Sequence, residues 1–107
     1  MIVDHLALES TNIDASVKWY LQILDNPKIL YQDQTWALIE SCGVKIAFVS
    51  PHQHPSHLGL KIDSKEQEED LRARYPNAVW KEHRDRSKSF YVRDPSGNLV
   101  EFIKYEV

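Results

Sequence analysis

Two histidines and one glutamate lie at positions where they could hold a metal ion. The tetrapeptide HLAL at residues 5–8 recurs as HLGL at residues 57–60, so His5 and His57 open two copies of one short pattern. Glu101 lies near the end of the chain and could supply a carboxylate. Two imidazoles and one carboxylate on a common face form a metal site that leaves coordination positions open for a substrate. The repeat therefore predicts a metal centre in a duplicated fold.

Strand periodicity gives the two histidines equivalent surroundings. Successive side chains of a strand point to opposite faces, so His5 shares a face with Ala7 while Leu6 and Leu8 take the other face, toward a core. The second copy alternates in the same way, with a glycine in place of the alanine. A histidine satisfied by an ordinary hydrogen bond is the alternative for each residue taken singly. The repeated placement beside a small residue favours metal binding.

The surroundings of Glu101 also favour metal binding. Glu101 shares its strand face with Leu99 and Ile103, and a carboxylate among apolar neighbours needs a partner if that face is enclosed. A solvated glutamate or a salt-bridge partner is the alternative. A metal ion would satisfy the carboxylate.

The elements that would position these residues follow one order twice. Each half is predicted as β-α-β-β-β, which makes residues 1–107 a single α+β domain with unit one at 1–50 and unit two at 56–107. Strands are expected at residues 2–8, 28–32, 35–40, 44–49, 57–62, 78–83, 88–93 and 98–105. Helices are expected at residues 12–24 and from 64 to about 75. Thr11 with Asp14, and Ser64 with Gln67, are predicted to cap the helix starts.

Composition excludes several classes of function. The 107 residues are 42% apolar and 27% charged, with a net charge of −3, as in a soluble globular domain. Mixed charges give no electrostatic basis for nucleic-acid binding, and no apolar run approaches the about 20 residues that span a bilayer. The single cysteine excludes an internal disulfide, and the N-terminus lacks a signal-peptide pattern. A cytoplasmic location is therefore expected.

Other reactive side chains carry weaker signals. His52 and His54 form a His-x-His pattern in a loop bounded by prolines, and a solvated loop is favoured there over a metal site. His83 lies in a polar stretch that is either an exposed hairpin end or an anion-contacting loop. Cys42 lies in a tight turn and is interpreted as an incidental thiol.

Three stretches resemble the vicinal oxygen chelate superfamily. They are residues 3–8, residues 16–20 and, most diagnostically, residues 90–101, which include the turn at 94–98 and Glu101. That superfamily includes glyoxalase I, extradiol dioxygenases, methylmalonyl-CoA epimerase, fosfomycin-resistance transferases and bleomycin-resistance proteins. The resemblance covers the whole chain. It implies a glyoxalase-like fold in which two β-α-β-β-β units pair into a curved mixed sheet that forms a cup around the metal.

The resemblance also assigns roles to individual residues. It implies that His5, His57 and Glu101 are the metal ligands. Alignment of the hairpin glycines at 43 and 97 sets Ala47 opposite Glu101, so the fourth ligand of glyoxalase I is absent.

Residues 84–91 are similar to a segment of the fosfomycin-resistance transferases that contacts substrate. This similarity implies that Ser89 and Tyr91 reach the substrate and act as catalytic residues.

The implied function is that of a divalent-metal-dependent enzyme of the lyase or isomerase, dioxygenase or transferase type. One Mn, Fe, Co, Ni or Zn ion per site would chelate two oxygens of a small oxygenated substrate and act as a Lewis acid. The alternative is a metal-free protein of the bleomycin-resistance type that sequesters an antibiotic, and the intact triad counts against it. The resemblance also implies a homodimer, because small members with one pair of units commonly dimerise; the apolar surface of the first helix, with Trp19 and Tyr20, is consistent with this.

Overall fold

The computed structural model describes residues 1–106, over which the chain forms eight β-strands and two α-helices. The strands are β1 (Ile2–Glu9), β2 (Lys28–Gln32), β3 (Trp36–Ser41), β4 (Val44–Val49), β5 (His57–Lys61), β6 (Lys81–Glu82), β7 (Lys88–Arg93) and β8 (Leu99–Lys104). The helices are α1 (Ile13–Ile23) and α2 (Lys65–Arg74). This α+β architecture with a mixed sheet confirms the predicted fold class. Neither helix of the described range has the length and apolar character needed to cross a membrane.

The strands form one eight-stranded sheet in the order β2-β3-β4-β1-β5-β8-β7-β6. Strands β1 and β4 are parallel, as are β5 and β8, and the remaining pairs within each half are antiparallel. The parallel registers set Ala7 opposite Ala47 and Gly59 opposite Glu101. Ala47 and Glu101 therefore occupy equivalent positions, as the hairpin glycines predict.

Residues 5–57 form one compact unit built around α1. The cap of this helix is Asn12, whose side chain accepts a hydrogen bond from the Ala15 amide at 3.0 Å. The prediction of Thr11 as the cap was wrong, because it is residue 12 that has extended backbone and an oxygen within reach of the first free amides. One buried core cluster of this unit consists of Ile13, Val17, Ala37, Ile39 and Phe48, and a second consists of Ala7, Ala47 and Val49.

One leucine of the first strand does not lie where strand alternation predicts. Leu8 packs against the core beneath α1, whereas Leu6 is 40% exposed. The prediction that both leucines face a core was therefore wrong for Leu6. Helix α1 packs on β3 and β4, so its cover does not extend along all of β1.

Residues 1–4 and 58–106 belong to the second compact unit. Helix α2 begins at the predicted cap, where Ser64 accepts from the Gln67 amide at 3.1 Å. Its exposed face is polar, and Leu71 inserts into a core with Ile62 and Phe90.

The strand expected at residues 78–83 is reduced to the two residues of β6. The Ala78 amide donates a hydrogen bond to the Tyr75 carbonyl at 3.1 Å in a turn, so this amide does not pair with a neighbouring strand.

Candidate metal centre

The structure brings the three predicted metal ligands together. His5, His57 and Glu101 each offer one ligand atom, and these three atoms lie within 4.8 Å of one another. His57 and Glu101 are buried, and His5 is half-buried. A group of two imidazoles and a carboxylate is suited to divalent transition metals.

A backbone carbonyl fixes the tautomer of His57. Its Nδ1 lies 2.9 Å from the Pro55 carbonyl oxygen, which can only accept a hydrogen bond. Neutral His57 therefore carries its proton on Nδ1 and has a lone pair on Nε2. Histidine ligands of metal ions are held in this way, with the second nitrogen donating to a carbonyl or carboxylate. His57 is thus oriented for binding through Nε2.

The same lone pair faces His5. The two Nε2 atoms are 3.1 Å apart, and the rings meet edge to face at 87°. Without a metal, His5 donates the proton of this hydrogen bond, since His57 Nε2 has none to give. Two nitrogen atoms that each lie about 2.0–2.1 Å from one metal ion are 3.1 Å apart when the nitrogen–metal–nitrogen angle is about 100°. The pair fits a metal ion once His5 carries its proton on Nδ1.

The third candidate ligand, Glu101, is held by two hydroxyl groups of β7. Glu101 is 4% exposed, and Ser89 Oγ donates to its Oε2 at 2.7 Å. Tyr91 lies directly opposite Glu101 in the antiparallel ladder and hydrogen-bonds its carboxylate. A carboxylate that accepts from two hydroxyls is stabilised in its ionised form, which is the form that binds a metal.

Tyr91 is the residue of this group with a titratable hydroxyl. Burial raises its pKa above the ordinary value of 10.0, and both the charge of Glu101 and the hydrogen bond to it add to the effect. Its side chain is half-buried, so part of it is accessible. The phenol stays protonated at neutral pH and is a hydrogen-bond donor.

Ser89 and His83 extend this arrangement away from the ligands. Ser89 is fully buried, and its Oγ lies 2.6 Å from His83 Nε2. His83 Nε2 is also 3.7 Å from Glu101 Oε2. The sequence left His83 undecided between a hairpin end and an anion-contacting loop. The sequence signal for the position of His83 was the spacing across the hairpin before β7. The His83 amide donates to the Ser87 carbonyl at 2.8 Å, and this pairing sets His83 near Ser89.

The group of possible metal ligands among the described residues includes none of the other sequence candidates. His52 and His54 are exposed in the loop before β5, as predicted. Ala47, at the position equivalent to Glu101, is 6% exposed and has no side-chain ligand atom.

Comparison with known proteins identifies the fold. No protein-family model matches the sequence, and no curated protein matches it. A glyoxalase/bleomycin resistance protein/dioxygenase superfamily member from Vibrio splendidus 12B01 is similar in structure, with a TM-score of 0.71 and 16% identity over 94% of this chain and 96% of that chain. The chain has the fold of the vicinal oxygen chelate superfamily.

Two further members of this superfamily are similar in structure. Methylmalonyl-CoA epimerase from Mycobacterium tuberculosis has a TM-score of 0.73 and 13% identity, covering 98% of this chain and 88% of that chain. A variant of homoprotocatechuate 2,3-dioxygenase from Brevibacterium fuscum has a TM-score of 0.69 and 15% identity, covering all of this chain and 33% of that chain. At these identities the similarity establishes the vicinal oxygen chelate fold, and the roles of single residues depend on the geometry described above.

Proposed function

We propose that His5, His57 and Glu101 bind one divalent metal ion and that the chain is a metal-dependent enzyme. Its substrate would be a small molecule with two neighbouring oxygen atoms. The observation that carries this proposal is the orientation of His57, whose Nδ1 is fixed by the Pro55 carbonyl while its Nε2 faces His5 at 3.1 Å. A histidine that served only to fill a strand face would not need this orientation, whereas a ligand does.

The ligand set is matched to Mn, Fe, Co, Ni or Zn. When bound, such an ion supplies Lewis-acid polarisation of the substrate oxygens and leaves coordination positions open for them. Ala47 in place of a fourth ligand leaves one more such position than a four-ligand site would. The lack of a ligand atom on the side chain at position 47 therefore favours a substrate that binds through two oxygens.

Tyr91 supplies the proton chemistry in this proposal. Its one hydroxyl proton goes to the Glu101 carboxylate, and the raised pKa keeps that proton on the phenol at neutral pH. Tyr91 would turn this hydrogen bond from Glu101 to a substrate oxygen once a metal ion satisfies the carboxylate. It is held beside the carboxylate by the β7–β8 register. Isomerisation, epimerisation and oxygenation all develop negative charge on a substrate oxygen, so one donor at this place serves each of these reaction classes.

A metal-free binding protein is the second candidate, and one observation favours it. Among the described residues that are not exposed, every buried side-chain nitrogen and oxygen has a hydrogen-bond partner. The His5–His57 hydrogen bond is part of that arrangement. The triad is therefore satisfied without a metal, as a protein that sequesters a small molecule would require.

Metal analysis separates these two functions. Protein purified without a histidine tag is stripped with a chelator, and each of the five ions is titrated with calorimetry. We expect one ion per chain. His57→Ala should weaken binding by more than the roughly 10–100-fold that follows loss of a supporting partner. The matched control is His52→Ala, an exposed histidine of the preceding loop, which should bind like wild type. Unchanged affinity of the His57→Ala protein would refute the proposed site.

The homodimer predicted from the sequence stays a proposal. It is supported by the large apolar side chains on the surface of α1, where Trp19 and Ile23 are each 58% exposed. Apolar surface of this kind is frequently covered by a partner. Light scattering at several concentrations measures the mass, and a monomer at every concentration would contradict the prediction.

A further inference from the structure

A line of hydrogen bonds lies behind the carboxylate of Glu101, with a buried Ser89 at its centre and a partly exposed His83 at its end. Ser89, which has no exposed surface, contacts Glu101 Oε2 at 2.7 Å on one side and His83 Nε2 at 2.6 Å on the other. The β7–β8 ladder fixes the backbone on which these side chains stand, with Ser89 opposite Ile103. The carboxylate therefore has a fixed support that does not come from the histidine ligands.

Proton counting gives the direction of these hydrogen bonds. A serine hydroxyl has one proton, and Ser89 donates it to Glu101, which as a carboxylate can only accept. Ser89 Oγ must then accept from His83, so His83 carries a proton on Nε2. Hydrogen bonds that run in one direction polarise one another, and this strengthens the donation to the carboxylate.

We propose that Ser89 and His83 are positioning residues that hold Glu101 in the orientation needed to bind the metal ion. This inference rests on the proposed function, because it takes Glu101 to be a ligand. A glutamate side chain on a strand can rotate about several bonds, and each alternative rotamer moves its oxygens by more than a metal–oxygen bond tolerates. The hydrogen bond from Ser89 selects one orientation before the ion arrives.

The burial of Ser89 distinguishes this role from contact with a substrate. A hydroxyl with no exposed surface and with both neighbours within 2.7 Å is enclosed by its partners. Its effect on the reaction would pass through Glu101. Partners of this kind typically contribute 10–100-fold to metal affinity.

The test is the affinity of Ser89→Ala for Co²⁺, whose visible absorption also reports the geometry of its ligands. We expect affinity to fall by about 10–100-fold and the absorption bands to shift. Ser87→Ala is the matched control, because Ser87 is equally buried at 1% exposure but donates to Asp85 and not to Glu101. It should keep wild-type affinity and the wild-type spectrum. A structural role alone would lower the thermal stability of both variants and leave the spectrum unchanged.

His83 provides a second test that does not disturb the core. Its side chain is 31% exposed, so substitutions there leave the protein folded even if Ser89→Ala does not fold. His83→Leu removes the donor and should weaken Co²⁺ binding by up to about tenfold, whereas His83→Gln retains an N–H donor and should restore most of the affinity.

The outcomes separate this inference from the proposed function. If wild type binds Co²⁺ and neither Ser89→Ala nor His83→Leu weakens binding, the positioning role is refuted and the metal site stands. If wild type does not bind any of the five ions, both proposals fall.

Discussion

Replacement of Glu101 by glutamine separates a metal ligand from a carboxylate that serves only the fold. Glutamine has nearly the same shape and keeps an oxygen that can accept the hydrogen bond from Ser89, now 2.7 Å long. It loses the charge that a divalent ion needs. If Glu101 is a metal ligand, the substitution should lower the stability gained from metal and hardly change the stability of the metal-free protein. If Glu101 serves only the fold, the substitution should lower the stability of the metal-free protein.

In the metal-free protein, Glu101→Gln should change the free energy of unfolding only slightly. A hydrogen bond to a charged group contributes about 1 kcal/mol more than one to a neutral group, and this loss is opposed by relief of burying a charge at 4% exposure. The free energy of unfolding should therefore change by at most about 1 kcal/mol. With an unfolding entropy of about 2.1 cal/mol/K for each of the 107 residues, that is at most about 5 °C in Tm.

With metal present, Glu101→Gln should lower the stability by a larger amount. At a metal concentration 100 times Kd, wild type gains about 2.7 kcal/mol, which raises Tm by about 12 °C. If Glu101→Gln weakens binding 100-fold, the same concentration gives about 0.4 kcal/mol, or about 2 °C. Thermal unfolding monitored by circular dichroism measures all four values.

The control is Glu106→Gln, an exposed carboxylate near the end of the chain. It should show the full wild-type shift with metal. An equally large metal-induced shift in the Glu101→Gln protein would refute the assignment of Glu101 as a ligand. A loss of more than about 3 kcal/mol without metal would show that the carboxylate serves the fold.

Three further predictions follow from single contacts. Tyr91→Phe should lower turnover of an identified substrate by about 100-fold or more in steady-state kinetics at saturating metal, where weaker metal binding after loss of its hydrogen bond to Glu101 no longer limits the rate; equal turnover would remove Tyr91 from the mechanism. Gly97→Ala should cost about 1 kcal/mol in urea unfolding, because φ is +88° and an added Cβ has no atom within 4 Å, so the cost is backbone strain alone; an unchanged midpoint would contradict this. Glu68→Gln should cost about 1 kcal/mol at pH 7, because Lys104 Nζ lies 2.7 Å from Glu68 and lowers its pKa below 4.5. This contribution is present above pH 4.5 and is lost as the pH falls through the lowered folded-state value, so wild type and variant should have equal stability in urea at pH 2, and a difference that persists there would refute the ion pair.

The sequence alone determined the elements and the chemical types at the site. Apolar periodicity is a local property, so the eight strands and two helices were predictable, with errors mainly at their ends. The Ser64 cap was predictable because it needs only residues three positions apart. The equivalence of Ala47 and Glu101 followed from two hairpin glycines, both of which have positive φ. The types and repeat of the ligand residues likewise lie in the sequence itself.

The tertiary structure alone decided how those residues are oriented and supported. The Pro55 carbonyl that fixes the His57 tautomer, and the His83–Ser89–Glu101 hydrogen bonds, depend on strand register and side-chain rotamers. Both are set by packing between segments that are distant in sequence, and no local pattern encodes them. For the same reason the exposure of Leu6 could not be read from alternation, since alternation gives the face of a strand but not what covers it. The sequence thus named the three candidate ligands, and the folded chain determined which of their atoms face one another.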